Sequence, residues 1–421
     1  MRTRPGASRT VVALVAGCIG LACQAFDSSR PPPPPVRAPL EPAPVTDFSG
    51  ERAWAHLEAL TALGPRVAGT PGADAAREYI RAQLESFGLT VREHAFELPG
   101  GAPAAPAPSD PDEAGEGGAS EAESPEPDSA RAPAVEIVHL SAVIPGASPD
   151  LFLLAAHFDT ARFDAFRFVG TNESASGPAV LLELARQLAR SPLPYTTWIT
   201  FLDGEARFAP GAEPLAGSRA LAEQLARDDT LERIRFAVFL GAVGDAELTI
   251  ARDARSHRRY RERFFEIGQR IGYPEAFARS SPLTTLDGSH VAFLARQARR
   301  VVMIADDRFG GGEPPGVYWH TEDDTPDRCS ADSLEAVGHV TLLALREFGS
   351  LLQKVDRFVP RPAPESETVP APEAEDPVET EVEAESPADR RPPGTLEPEP
   401  AGDVPAPDDP AAAGAEDRAP P

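Results

Sequence analysis

The sequence predicts a three-layer α/β domain, a sheet with helices on both faces, on three observations. Short, largely apolar runs (Leu151–Ala156, Thr196–Leu202, Ile234–Leu240) alternate with segments of helical apolar spacing (Ser174–Arg190, Ser218–Ala226, His257–Ile271). Leu151–Ala156 is apolar throughout, as a strand covered on both faces must be. The alternation runs from about Phe48 to Arg357, within the size of one domain.

Composition sets what lies outside that domain. The chain has 421 residues, 47 of them proline, and a formal charge of −26, so much of its length cannot bury enough apolar surface to pack. An acidic chain with scattered arginines lacks the clustered cations that phosphate backbones require, which excludes nucleic acid as a partner. Residues 1–23 read as an export signal: Arg2 and Arg4 precede the apolar Thr10–Ala22, too short to span a bilayer. Cys18 and Cys23 each follow small residues in the manner of a lipidated bacterial cysteine. The expectation is an exported, cell-envelope lipoprotein that meets the membrane through its lipid anchor only; its oligomeric state is not legible. Residues 24–47 are a proline-rich linker, and residues 358–421 an acidic Pro/Ala/Glu tail expected to be disordered. Only Cys329 falls inside the domain, so no disulfide forms within it.

Within residues 48–357 the elements follow in order. Glu51–Leu63 and Ala73–Phe87 have helical spacing, separated by a turn-rich loop through Gly64-Pro65-Arg66 and Gly69-Thr70-Pro71. Leu89–Leu98 and Val135–Ile144 alternate as strands, and residues 99–134 between them, poor in large apolar residues, read as a disordered insertion. Arg300–Ile304 is a further strand, Asp306–Val317 a glycine-rich loop, and Ser330–Gln353 a closing helix.

Chemistry collects at strand ends and the loops beside them: His157 and Asp159, Glu173, Glu205, and Trp319-His320-Thr321. Such ends are where open α/β sheets place their ligands. Imidazole with carboxylate is the donor mixture zinc prefers where thiolates are absent, and His157-x-Asp159 lets one residue bind while the other orients it. Any one of these histidines could be a satisfied core residue; their recurrence at successive strand ends points to a site.

The runs Gly64-Pro65-Arg66, His157-Phe158-Asp159, Gly170-Thr171-Asn172-Glu173, Phe201-Leu202-Asp203-Gly204-Glu205, Gly217-Ser218-Arg219, Val243-Gly244-Asp245 and Trp319-His320-Thr321 with Asp324-Thr325-Pro326-Asp327 resemble metallopeptidase family twenty-eight. That family holds zinc aminopeptidases and glutaminyl cyclases. The resemblance implies an α/β/α sandwich of the zinc-exopeptidase type, with a central mixed, mostly parallel sheet. It implies His157, Glu173 and His320 as metal ligands, Asp159 as the carboxylate that orients His157, and Glu205 as general base. It adds His290 and Trp319 on the substrate side, and peptide N-termini as partners.

Four sites, five residues in all, depart from the family's pattern. Ala206 stands where a glutamate ligand follows the base, and Gly241 where an aspartate follows the strand. Glu173 replaces a bridging aspartate, and Gly288-Ser289-His290 an Asp-Asp-His run, with Asp287 as a partial substitute. A methyl group cannot bind a metal, so at most one zinc ion is expected, shared by His157, Glu173 and His320. The competing expectations are an inactive homologue that binds peptide N-termini and an envelope scaffold.

Overall fold

The computed structural model describes residues 47–100, 133–209 and 211–358. The export signal, Cys18 and Cys23, the linker, residues 101–132 of the insertion and the acidic tail lie outside the described residues. The chain divides into two units, residues 1–361 and 362–421, and the first contains every described residue.

Six strands form the main sheet: β1 (Thr90–Leu98), β2 (Val135–Ile144), β3 (Ser148–His157), β4 (Tyr195–Leu202), β5 (Ile234–Leu240) and β8 (Val301–Ile304), in the order β1-β2-β4-β3-β5-β8. β4, β3, β5 and β8 run parallel to one another, while β2 is antiparallel to both β1 and β4. The sheet is therefore mixed and mostly parallel. Leu98 lies opposite Val135, so the chain between β1 and β2 leaves and re-enters the sheet at one point. A short parallel pair, β6 (Arg252–Asp253) and β7 (Leu283–Thr284), forms a separate ladder.

The period-2 geometry of a strand sorts its side chains onto two faces. From β3, Phe152, Leu154 and Ala156 join a core shared with helices α1 (Gly50–Ala62), α2 (Pro71–Ser86), α3 (Ser176–Arg190), α6 (Arg258–Arg270) and α8 (Ala331–Phe358). Leu153 and Ala155 point the other way, into a smaller core with α4 (Ala216–Arg227), α5 (Thr230–Arg233) and α7 (His290–Ala295). The α/β/α sandwich expected from the alternation is thus present, with uneven layers.

The ends of the elements show what pattern reading missed. Thr70 and Pro71 start α2 where proline's fixed φ suits the first helical turn. α8 runs to Phe358, five residues past the expected end. The helix expected from Ser174 begins two residues later, because Thr171–Ala175 form a π-helical turn that leads into α3. Such turns are rare and recur at functional sites. This one carries Glu173.

Candidate active site

The C-terminal ends of β3, β4, β5 and β8 open on one cavity of about 760 Å³, lined by His157, Glu173, Glu205, Ala206, Trp319 and His320 among others. A larger surface groove of about 850 Å³ lies between α6 and α8 and contains none of these groups. The chemistry therefore belongs to the strand-end cavity.

His157 ends β3. Its Nδ1 lies 3.2 Å from the Asp159 carbonyl and 3.4 Å from Asp159 Oδ1, which turns Nε2 toward Glu173. Asp159 is fully buried, and its other oxygen accepts the Ala206 N–H at 2.8 Å. Asp159 therefore takes the orienting position. Burial opposes a charge on His157, but Glu173 and Asp159 outweigh it and raise its pKa to about 9.

Glu173 Oε1 sits between two imidazoles, 3.9 Å from His157 Nε2 and 3.6 Å from His320 Nε2. Burial disfavours its charge, yet the two histidines hold its pKa below the ordinary value. Its Oε2 is buried without a hydrogen-bond partner, as is Asp159 Oδ1. His320 adopts a left-handed φ of 57°, uncommon outside glycine, and stacks on Trp319 with centroids 3.4 Å apart. Phe163 and Phe168 meet the same imidazole edge-on.

The fixed position of Glu173 relative to His320 traces to Asp324, four residues after that histidine. Asp324 Oδ1 accepts the Asn172 N–H at 2.6 Å, Oδ2 accepts the Glu173 N–H at 3.1 Å, and its carbonyl accepts the Thr171 N–H at 3.4 Å. One residue of the His320 loop thereby holds three successive amides of the π-turn. Behind it, the fully buried Arg66 donates to the carbonyls of Phe158, Val169 and Gly170 and to Ser174 Oγ, joining the ends of β3 and the Glu173 loop. Burial lowers the Arg66 pKa to about 10, and Glu173, Asp324 and Asp159 resist that shift. The motifs containing Arg66 and Asp324 were visible in the sequence; their clamping roles depend on contacts across more than 90 positions.

Glu205 follows β4. Its Oε1 accepts the Ser218 N–H from the first turn of α4, and its Oε2 accepts the Ser289 hydroxyl at 2.5 Å. Burial raises its pKa to about 7, with Asp159 adding to the shift and Ser289, His157 and Ser218 opposing it. His139 fixes the preceding turn: its Nδ1 accepts the Asp203 N–H at 2.9 Å and its Nε2 donates to the Gly217 carbonyl at 3.1 Å. Burial lowers the His139 pKa to about 3, which keeps this neutral tautomer.

At the departures from the family's pattern, Ala206 packs its methyl with Ala161 and Phe168. A Cβ on Gly241 would lie 2.7 Å from the Met303 methyl and 2.9 Å from Ala305 Cβ, so an aspartate there requires its neighbours to shift. Asp203 and Asp245 are spent on backbone amides and, for Asp203, Arg77, and Asp287 pairs with Arg255. His290 does not line the cavity: it is buried beneath Phe239, with Nε2 3.4 Å from Asp253 Oδ2. Asp306, which pattern reading passed over, lines the cavity, but its oxygens accept the Thr249 and Arg308 amides.

His157, Glu173 and His320 match a two-histidine, one-carboxylate zinc set in chemistry, and the orphaned Glu173 Oε2 is an acceptor that a cation would satisfy. Glu173 Oε1 and His320 Nε2, 3.6 Å apart, have about the separation of two donors on one tetrahedral zinc at about 2.2 Å, whereas the 3.9 Å to His157 Nε2 is wider. Among the described residues no group of three His, Cys, Asp or Glu is already spaced to hold a metal. Ala206 and Gly241 themselves offer no donor to a second ion.

A mixed sheet with imidazole and carboxylate groups at its strand ends defines a domain of the zinc-exopeptidase class. Residues 139–345 match the model for peptidase family M28. The chain is similar to a glutaminyl cyclase from an Acidobacteriales bacterium, with 26% identity over 75% of this chain and 99% of that one, at a TM-score of 0.60. It shares its fold with a leucine aminopeptidase precursor from Bacteroides thetaiotaomicron (22% identity, 71% and 97% covered, TM-score 0.55). The same holds for a Zn-dependent exopeptidase from Parabacteroides distasonis (19%, 72% and 99%, TM-score 0.56). No curated protein matches the chain.

Proposed function

We propose that the domain acts on peptide N-termini by glutaminyl cyclisation, with Glu205 as proton shuttle. The observation that carries this is Glu205 itself: a buried carboxyl with both oxygens held, a pKa near 7, and a place in the cavity that contains His157, Glu173 and His320. A group with that pKa can take and return a proton at neutral pH. The α-amine of an N-terminal glutamine attacks its own side-chain amide carbon and gives a proton to Glu205. The ring C–N bond forms, the bond to the amide nitrogen breaks, and Glu205 returns the proton to the departing ammonia. His157, Glu173 and His320 are the residues that would hold a single zinc ion, and zinc supplies polarisation of the attacked carbonyl when bound. Asp159 orients His157, and Trp319 walls the substrate side.

The 26%-identical cyclase favours cyclisation over hydrolysis. We extend the proposal to an exported protein held at the cell envelope by a lipid on Cys18 or Cys23, which suits action on exported peptides; the apolar Thr10–Ala22 run supports it. A second reading, an inactive domain that binds peptide N-termini, is favoured by the packed methyl of Ala206 and the crowded space at Gly241.

The test is incubation of the zinc-supplemented protein with a glutamine-initiated peptide, following release of ammonia. Wild type is expected to release it, and Glu205→Gln to lose about 100-fold or more in kcat, the usual scale for a general base. Binding of the peptide without ammonia release would favour the second reading.

A further inference from the structure

We propose that a groove beside the cavity is a second subsite, which takes an apolar side chain from the second to fourth residue of a bound peptide. This rests on the reading that the cavity receives the peptide's amino end. The groove has a volume of about 420 Å³, and its lining includes Val67, Ala68, Val135, Phe166 and Phe208. Ala161, Arg162 and Phe163 line both groove and cavity, so the two spaces meet at a shared wall. Phe163 is the main part of that wall. Its ring meets His320 of the cavity at 5.5 Å and stacks on Phe166 of the groove at 4.7 Å.

Charge gives the path a direction. The carboxyl groups of Glu173, Glu205, Asp287, Asp306 and Asp307 outnumber Arg162 and Arg207 in the cavity lining, whereas the ionisable groups lining the groove are Arg162, which the two spaces share, and Arg167. A peptide whose ammonium lies near the carboxylates therefore presents its carbonyls, or the carboxylate of a short chain, to the arginines. Between these ends the wall offers apolar and aromatic surface to a side chain leaving water. Each extended residue advances a chain by roughly 3.3 Å, so about three residues span the 5.5 Å and 4.7 Å steps from His320 through Phe163 to Phe166. A peptide with an apolar residue just beyond its N-terminus fits this combination of a cationic rim and an apolar bed.

The experiment measures equilibrium binding of pentapeptides that begin with alanine and carry leucine or serine at position two, three or four, each with a free or an acetylated N-terminus. Wild type is expected to bind one leucine peptide about tenfold tighter than its serine counterpart, the scale of one buried leucine, and only when the amine is free. Ala209→Trp, which fills the groove, is expected to remove that preference while binding alanine amide as wild type does. Amine-dependent binding with no leucine preference overturns the subsite and leaves the proposed function standing. A leucine preference that persists after acetylation overturns both. A preference seen only after deletion of residues 101–132 assigns the groove to the protein's own chain and overturns the subsite.

Discussion

At the scale of single residues, Ala206 and Asp324 define what this site has lost and kept. Ala206 places a methyl beside Phe168 and Ala161 and offers nothing to a cation. Asp324 holds the Glu173 turn against the His320 loop through three backbone amides. Asp324→Asn turns one of those acceptors into an NH₂ group facing an N–H. Its expected cost is about 1–3 kcal/mol of stability, the price of an unpaired buried donor. Zinc affinity should fall about 10-fold or more, as for other groups that hold a metal's ligands in place. Calorimetric zinc titration beside thermal unfolding separates the two effects, and unchanged zinc affinity would contradict the clamp. His157, Glu173, Glu205 and His320 were legible in the sequence because each stands in a short motif beside a strand. The same logic failed for His290, which survives in a motif that has lost its acidic neighbours and whose ring lies under Phe239 against Asp253. Motif identity fixes the backbone position; the neighbours decide where the side chain goes.

At the scale of elements, the N-terminus of α4 is the support for Glu205. The Ser218 amide is one of the helix's unpaired first-turn donors, and it is spent on Glu205 Oε1. Gly217 permits the approach: a Cβ there would lie 1.9 Å from the Asp203 carbonyl oxygen and 3.0 Å from Glu205 Oε1. Gly217→Ala therefore pushes α4 away. The expected result is a loss of about 1–3 kcal/mol in stability, as for overpacked cores, and a kcat that falls more than KM rises. Steady-state kinetics with urea unfolding checks this; wild-type kcat in a folded variant would contradict it. Strands and long helices were readable because their apolar periods are those of β and α structure. The π-turn was not, since a single extra residue per turn leaves no periodic trace, and α5 and α7 are too short to show one.

At the scale of the whole molecule, buried ionisable groups make stability depend on pH. Burial is the main cause that raises Asp203, Glu205, Asp306 and Asp324 to about 7. A carboxyl whose folded pKa lies above its unfolded value binds more protons when folded, so stability falls as pH rises toward the folded pKa. His157, raised to about 9, loses its contribution between its ordinary 6.5 and 9. The half-buried His56 and the buried His139, lowered to about 4 and 3, act the other way but only below about 6.5. Without added metal, Tm should therefore decline from about pH 6.5 to 9. A Tm that rises over that interval would contradict these assignments. The α/β/α architecture was visible in the sequence because one element type follows another. The antiparallel placement of β1 and β2 was not, because pairing partners are set by contacts remote in the chain.

The central claim is that Glu205 works as a base within this cavity, and the pH dependence of kcat/KM for a glutamine-initiated peptide tests it most directly. The account predicts an ascending limb as the Glu205 carboxyl ionises, with a midpoint at about 7 or, because a bound cation favours the carboxylate, below it. Ammonia release that is absent at every pH, or that shows no ascending limb between pH 5 and 8, roughly the range in which such a group ionises, would contradict it.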